Sequence, residues 1–240
     1  MVSEREPGVC GSTFGMVSAR CVLSLPAFCF FPVVRRVNDI QMELTNLKRA
    51  LLYTLVAAIH MSGHSSQAAP DVGDKAPAWR FLQGTDGLLH SRKDLDRSKI
   101  VVVAFLCNKC PCVKGYEARF KRFVEEFAPR GVTFVGINSA IGPLENMNEM
   151  RRRAASARYN YHYLFDTSQQ VGRGFGATST PHVFVLDQSR RIAYSGAFDD
   201  NRSESQVKHN FVVNAVSDLL AERPVAVTKT KQFGCAISYR

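Results

Sequence analysis

The chain has 240 residues, of which 45% are hydrophobic, and a formal net charge of +10 at pH 7. This length and apolar content predict one domain with extensions rather than two domains. A positive balance of this size is common in proteins that bind nucleic acid, but here the basic residues are scattered apart from the triplet at residues 151–153. We interpret that triplet as a solvated helix face, so no nucleic-acid partner is expected.

The first 69 residues differ in pattern from the rest of the chain. Lys48 and Arg49 precede a short apolar run over residues 50–61, and small and polar residues follow that run. A charged segment, an apolar segment of this length and a small-residue end are typical of a cleaved secretory signal, and the run is too short to cross a bilayer comfortably. The alternative interpretation is a buried or interfacial helix over residues 47–61.

We therefore predict that translation begins at Met42, that residues 42–69 form a signal peptide, and that the mature chain starts near Ala69. Residues 1–41 resemble neither a signal nor a domain and are predicted to be a non-native or disordered extension. The expected location is exported, periplasmic or extracytoplasmic, without a permanent membrane span. The predicted mature chain keeps four cysteines that an oxidising compartment could oxidise: Cys107, Cys110, Cys112 and Cys235.

Strand and helix patterns alternate over residues 71–225, which indicates an α/β domain with a central sheet, followed by a tail over residues 226–240. Asp86 and Gly87 stand between two apolar segments and predict the tight turn of an N-terminal hairpin. The continuous apolar and β-branched run over residues 100–106 is typical of a strand that is covered on both faces.

The remaining elements are predicted from apolar spacing and turn residues. A helix follows Pro111 and ends at Pro129 and Gly131. The others are a strand over 132–138, a helix over 144–158, a strand over 161–165, a short helix over 168–175, a hairpin of strands over 183–186 and 191–195, and a last helix over 205–221. The last helix is expected to present one apolar face made of Val207, Phe211, Ala215 and Leu219.

Cys107 and Cys110 are separated by two residues at the point where a buried strand gives way to a helix. The first thiol is expected at the mouth of the helix and the second in its first turn, which Pro111 suits. Helix N-terminal amides stabilise a thiolate, and Lys109 adds a nearby cation, so a lowered thiol pKa is expected. Two cysteines at this spacing can close a disulfide, which predicts reversible two-electron exchange.

A proline directly precedes a later apolar strand, in the order Thr180, Pro181, His182. Proline is awkward inside a sheet, so we predict a cis peptide bond at this position. A backbone turned in this way exposes groups that can align an extended substrate, which makes Thr180 and Pro181 the predicted substrate groove. His182 is a candidate for tuning the thiol pKa, and the alternative is a side chain that points away from the site.

These two features together resemble the thioredoxin superfamily. A longer series of motifs is similar to the redoxin or peroxiredoxin-like proteins of the alkyl hydroperoxide reductase and thiol-specific antioxidant group: VGDKAPAW, FLCNKCPCVKGYEARF, VGINS, YLFDTSQQVGRGFGATSTP, FVLD, YSGAFDD and TKTKQFGCAI. The resemblance extends over residues 71–240. It implies an α/β thioredoxin-like fold, with a central mixed sheet flanked by helices, an N-terminal hairpin and a C-terminal tail. It also implies that Cys107 is the nucleophile and that Cys110 resolves the mixed disulfide.

Two departures from the peroxiredoxin pattern favour disulfide exchange over peroxide reduction. Peroxiredoxins resemble one another in a Pro-x-x-x-Thr/Ser-x-x-Cys site, but the proline and hydroxyl positions here hold Val103 and Cys107 before Cys110, or Ile100 and Ala104 before Cys107. A thioredoxin-type proline also stands where peroxiredoxins carry an arginine. We therefore predict a thiol-disulfide oxidoreductase with a protein or small-molecule disulfide or thiol substrate, a reducing or oxidising partner and no cofactor.

The other two cysteines leave alternatives open. Cys112 is expected on a different helix face from Cys110, most simply as a packed apolar residue. Cys235 lies in a polar tail, and the resemblance implies that such a cysteine can resolve an intermediate, which makes a peroxiredoxin-like thiol peroxidase the alternative function. A different class is Cu(I) or Zn(II) binding by Cys107, Cys110 and Cys112, since thiolates select such ions. A catalytically idle interaction domain is the third class.

Overall fold

The computed structural model describes residues 41–51 and 68–240. The chain divides into two compact units, Met1–Ser65 and Ser66–Arg240. In the first unit the described residues are helical. Among all described residues, no helix is both long and apolar enough to cross a bilayer. The predicted extension and signal peptide lie largely outside the described residues and stay predictions.

The second unit is built on a mixed sheet of seven strands. They are β1 (Leu82–Gly84), β2 (Leu89–His90), β3 (Ile100–Leu106), β4 (Val132–Asn138), β5 (His162–Phe165), β7 (His182–Leu186) and β8 (Ile192–Gly196), in the spatial order β2-β1-β5-β4-β3-β7-β8. Strands β3, β4 and β5 run parallel to one another, and the sheet is antiparallel at its other pairings, β1 with β2, β1 with β5, β3 with β7 and β7 with β8. The mixed sheet and its N-terminal hairpin are therefore confirmed.

Two short strands form a separate antiparallel pair outside this sheet. They are β6 (Ser179–Thr180) and β9 (Cys235–Ala236), in which Thr180 faces Cys235 and Ser179 faces Ala236. The pair joins the end of the tail to the segment before β7.

Four helices flank the sheet: α1 (Pro111–Phe127), α2 (Met147–Ala157), α3 (Gln170–Phe175) and α4 (Phe211–Leu220). Short 3-10 helices lie at Arg92–Leu95, Ala128–Arg130 and Glu204–Gln206. Every residue of β3 is buried, and alternate residues enter two different apolar clusters. One cluster contains residues of α1, α2 and α4, and the other contains residues of α3. Because helices cover both faces, the central strand is apolar throughout.

Two predicted helices begin three or more residues later than expected. Helix α2 starts at Met147, because the Asn146 side chain accepts a hydrogen bond from the Glu149 amide at 3.1 Å and caps the helix there. Helix α4 starts at Phe211, because the Val207 backbone is extended and a separate 3-10 turn precedes it.

The predicted apolar face of the last helix is only partly right. The buried residues of α4 are Val212, Ala215 and Val216, whereas Phe211 and Leu219 are only partly buried. The Val212 amide donates to the Phe198 carbonyl oxygen at 3.1 Å, which sets the rotation of the first turn against the sheet.

Candidate redox site

Strand β3 delivers Cys107 to the site, and helix α1 begins four residues later. Cys110 is the N-cap of α1, with an extended backbone at φ −67° and ψ 115°, and Pro111 is the first helical residue. Proline disfavours the helical conformation in the residue before it, so Cys110 precedes the helix rather than lying in its first turn as predicted. Both thiols are buried, with 8% of Cys107 and 2% of Cys110 exposed.

The pKa values of the two thiols are shifted in opposite directions. A hydrogen bond from Cys107 lowers the pKa of Cys110 to about 3 against the opposing effect of burial, and Cys235, Thr180 and the Val113 amide add to the lowering. The same hydrogen bond raises the pKa of Cys107, as do burial and the nearby Glu145 carboxylate. The pair therefore favours a thiolate at Cys110 and a thiol at Cys107.

The loop between the thiols is held by a buried carboxylate. Glu145 accepts hydrogen bonds from the amides of Asn108 and Lys109, both at 3.0 Å, and from the Asn138 side chain at 2.8 Å. The Tyr163 hydroxyl donates to the Asn108 side-chain oxygen at 2.9 Å. Sequence reasoning missed Glu145 and Tyr163, because no motif or spacing links them to the cysteines. The Lys109 side chain, predicted to lower the thiol pKa, is exposed and is not a leading cause of the shift at either thiol.

The segment before β7 lies against both sulfurs. The Thr180–Pro181 peptide bond is cis. The Thr180 hydroxyl is 3.4 Å from Cys107 Sγ, and its carbonyl oxygen is 3.2 Å from Cys110 Sγ. Thr180 and Pro181 are both buried. The predicted groove residue Thr180 therefore touches both members of the pair.

The His182 ring is directed elsewhere. Its Nε2 lies 3.2 Å from the Ser195 hydroxyl oxygen, and its ring packs 4.4 Å from the ring of Phe184. Burial lowers the pKa of His182 to about 4. The ring contacts Ser195 and Phe184 rather than a sulfur, which corresponds to the alternative in which it points away.

The tail brings a third cysteine to the pair. Cys235 Sγ lies 2.8 Å from Cys110 Sγ, and the hydrogen bond between them raises the pKa of Cys235 to about 12.

Cys112 is buried, as its interpretation as a packed cysteine expects. Its predicted direction is wrong, because its sulfur lies within 4.8 Å of those of Cys110 and Cys235. Helical spacing does not relate Cys110 to Cys112, because Cys110 is not in the helix.

Two clusters among the described residues have the side chains to hold a metal ion. The first is the sulfur group of Cys110, Cys112 and Cys235, which differs from the predicted set because Cys235 takes the place of Cys107. Three thiolates suit Cu(I) or Zn(II). The second contains Asp86, His90 and His162, and all three are at least partly exposed.

Comparison with known proteins gives the family. The Redoxin family model matches residues 71–210, which is more than half of the chain. A comparison with curated proteins found no match.

Solved structures give the same result for the fold. A hypothetical protein from Sinorhizobium meliloti 1021 is 29% identical with a TM-score of 0.67, over 72% of this chain and 96% of its own. An uncharacterised conserved protein from Geobacillus kaustophilus is 29% identical with a TM-score of 0.66, over 70% of this chain and 92% of its own. Peroxidoxin BcpB from Mycobacterium tuberculosis shares the fold at 20% identity and a TM-score of 0.51, over 64% of this chain and 98% of its own. The chain therefore belongs to the Redoxin family of thioredoxin-fold oxidoreductases.

Proposed function

We propose that the chain is a thiol-disulfide oxidoreductase whose redox pair is Cys107 and Cys110. The observation that carries this proposal is the buried pair at the start of α1, in which the two thiols are hydrogen-bonded to each other, Thr180 contacts both sulfurs and the pKa of Cys110 is lowered. A lowered pKa keeps a thiolate available at neutral pH, and the thiolate is the species that attacks disulfides. The expected partners are a disulfide or thiol substrate and a thiol reductant or oxidant.

We assign the attack to Cys110, which reverses the roles that the resemblance implies. The Cys110 thiolate attacks one sulfur of a substrate disulfide, and the other sulfur leaves as a thiolate that takes a proton from solvent. Cys107 then loses its proton and attacks Cys110 Sγ, which closes the Cys107–Cys110 disulfide and releases the second substrate thiol. The pair loses two electrons to the substrate, and the two protons that the substrate gains come one from Cys107 and one from solvent.

Three features support this reversal. The Val113 amide hydrogen-bonds to Cys110 and stabilises its charge, as expected at a helix N-terminus. The Glu145 carboxylate disfavours a thiolate at Cys107. The sulfur from the far end of the chain, Cys235 Sγ, lies 2.8 Å from Cys110 Sγ.

The test is a single turnover with the mixed disulfide of cysteamine and 5-thio-2-nitrobenzoate. We expect Cys110→Ser to abolish the rapid release of thionitrobenzoate, and Cys107→Ser to retain one release and keep the adduct on Cys110. Cys112→Ser is the matched control, because it removes a buried thiol outside the pair. If Cys107→Ser loses the first release and Cys110→Ser keeps it, the roles that the resemblance implies are correct. If a chain that carries both replacements still releases thionitrobenzoate rapidly, Cys107 and Cys110 are not the redox pair.

A second candidate function is thiol peroxidase activity with Cys235 as the resolving cysteine. The 2.8 Å contact between Cys110 Sγ and Cys235 Sγ favours it. If peroxide oxidised Cys110 to a sulfenic acid, the Cys235 thiol would already be within reach to condense with it and form a disulfide. Hydrogen peroxide consumption, followed by peptide mapping, tests it. A Cys110–Cys235 disulfide and loss of consumption in Cys235→Ser are the expected results for a peroxidase.

The sulfur group also favours soft-metal binding as a different class of function. Metal analysis of the purified reduced protein tests it, with Cys112→Ser as the diagnostic variant, because Cys112 lies outside the redox pair. Stoichiometric Cu(I) or Zn(II) that Cys112→Ser abolishes is the result that this function requires.

A further inference from the structure

The attacking sulfur is enclosed. Cys110 is 2% exposed, and its sulfur lies 3.2 Å from the Thr180 carbonyl oxygen and 2.8 Å from Cys235 Sγ. A thiolate must approach a substrate sulfur directly in order to exchange with it. A segment that covers Cys110 therefore has to move before any substrate reaches it.

The C-terminal strand β9 is the less buried of the two segments that lie over Cys110. Strand β9 has only two residues, Cys235 is partly buried and Ala236 is exposed, whereas both residues of its partner β6 are buried. The Ile237 amide donates to the Thr178 carbonyl oxygen at 3.0 Å, and the Thr180 hydroxyl donates to the Cys235 carbonyl oxygen at 3.4 Å. Strand β9 thus lies along the edge of β6 as an added β-strand would, with its cysteine opposite Thr180.

The backbone around Gly234, the residue before Cys235, leaves no room for a side chain. A Cβ atom built on Gly234 would overlap the Thr180 carbonyl oxygen and lie 3.2 Å from the Pro181 nitrogen. These contacts are backbone atoms, which cannot rotate aside as a side chain can. A strand bound in this register therefore needs a glycine directly before its cysteine.

We propose that β6 is the binding edge for an extended polypeptide strand with the sequence Gly-Cys, and that residues 234–236 occupy this edge as an internal substitute. The inference rests on the proposed function, because the partner's cysteine takes the place of Cys235 and is the sulfur that Cys110 attacks. Main-chain hydrogen bonds give such an added strand its affinity, and steric limits at single positions give its specificity. The tail has to leave first, which lowers the apparent affinity by the fraction of open molecules.

The test uses two peptides with the sequence of residues 231–238, each with 5-thio-2-nitrobenzoate on its cysteine. One peptide keeps the glycine and the other has valine in its place. The full chain carries Cys235→Ser, so that the internal thiol does not react, with or without Gly234→Val to weaken the β6–β9 pair.

We expect the glycine peptide to release thionitrobenzoate about tenfold faster than the valine peptide, because the valine side chain clashes with the β6 backbone. We also expect Gly234→Val to accelerate the glycine peptide by about tenfold, because it raises the open fraction. Equal rates for the two peptides would overturn the proposal, as would an unchanged rate in a folded Gly234→Val chain.

The cysteamine probe separates this inference from the proposed function. If the wild-type chain releases no more thionitrobenzoate from that probe than the Cys110→Ser chain does, the proposed function fails. If it does release it but the two peptides react alike, only the strand proposal fails. Should Gly234→Val not fold, the comparison of the two peptides on Cys235→Ser still decides, because the valine clash does not depend on how often the tail opens.

Discussion

At the scale of single residues, the sequence predicts a redox pair but not how the protons of its two thiols are distributed. The spacing of Cys107 and Cys110 predicts a redox pair at a strand-to-helix junction, and the structure brings both sulfurs to one hydrogen-bonded site. The largest cause of each pKa shift is the hydrogen bond between the two thiols, and groups far along the chain, such as Glu145 at Cys107 and Cys235 at Cys110, add to it. Such groups have no signature in the local sequence.

Glu145→Gln is expected to lower the pKa of Cys107. The comparison is made in a Cys110→Ser background, which removes the largest cause of the shift and leaves the effect of the carboxylate. A decrease of up to about one pKa unit is expected from the loss of a nearby negative charge. The pH dependence of iodoacetamide alkylation at Cys107 measures it, and replacement of the exposed Glu125 of α1 by glutamine is the control. An unchanged pKa would show that Glu145 acts only by holding the loop.

Protonation of His182 is expected to destabilise the fold in acid. Its folded-state pKa is depressed to about 4 from 6.5, so the unfolded chain binds the proton first as the pH falls. The stability is fully present above pH 6.5 and is lost down to about pH 4, by at most about 3 kcal/mol. Urea unfolding across this range should show a smaller loss for His182→Asn than for the wild type. A control replacement of the exposed His209 should leave the loss unchanged.

At the scale of elements, caps and long-range contacts decide where helices begin. The sequence predicts the apolar strands β3 and β4 with their observed bounds. It misplaces the starts of α2 and α4, because apolar spacing continues into the loops before them. The Asn146 cap and the bond from the Val212 amide to Phe198 end that ambiguity. The start of α2 could have been predicted from Asn146, since asparagine is a preferred N-cap residue.

Asp199→Asn is expected to destabilise the link between α1 and the segment after β8. Arg119 and Asp199 form a buried ion pair, and the Tyr116 hydroxyl donates to the same carboxylate at 3.0 Å. Burial raises the pKa of Asp199 although Arg119 opposes the shift, which shows that desolvation outweighs the attraction. Loss of one partner leaves a buried cation and should cost about 3 kcal/mol in the free energy of unfolding.

Chemical denaturation of Asp199→Asn measures this cost. Asp218→Asn is the matched control, since its Arg223 partner is exposed and such pairs contribute little. Equal effects of the two replacements would contradict the importance of the buried pair. A joint replacement of Arg119 and Asp199 by apolar residues should recover part of the loss, because no buried charge then remains unpaired.

At the scale of the whole molecule, export and processing stay a prediction. The two compact units divide at Ser65, close to the predicted start of the mature chain near Ala69. Mass spectrometry of the native N-terminus is expected to find residue 69 or a close neighbour first. Peptides from residues 1–41 in the native protein would contradict a start at Met42.

The sequence by itself determined the α/β class, and it predicted the cysteine pair and the proline segment that lies against it, because these depend on short-range patterns: apolar periodicity, cysteine spacing and a proline before a strand. Only the tertiary structure decided that Cys112 and Cys235 reach the same sulfur and that the tail covers the groove. The physical reason is that Pro111 holds Cys110 out of the helix, and that β6 pairs with a strand from the far end of the chain.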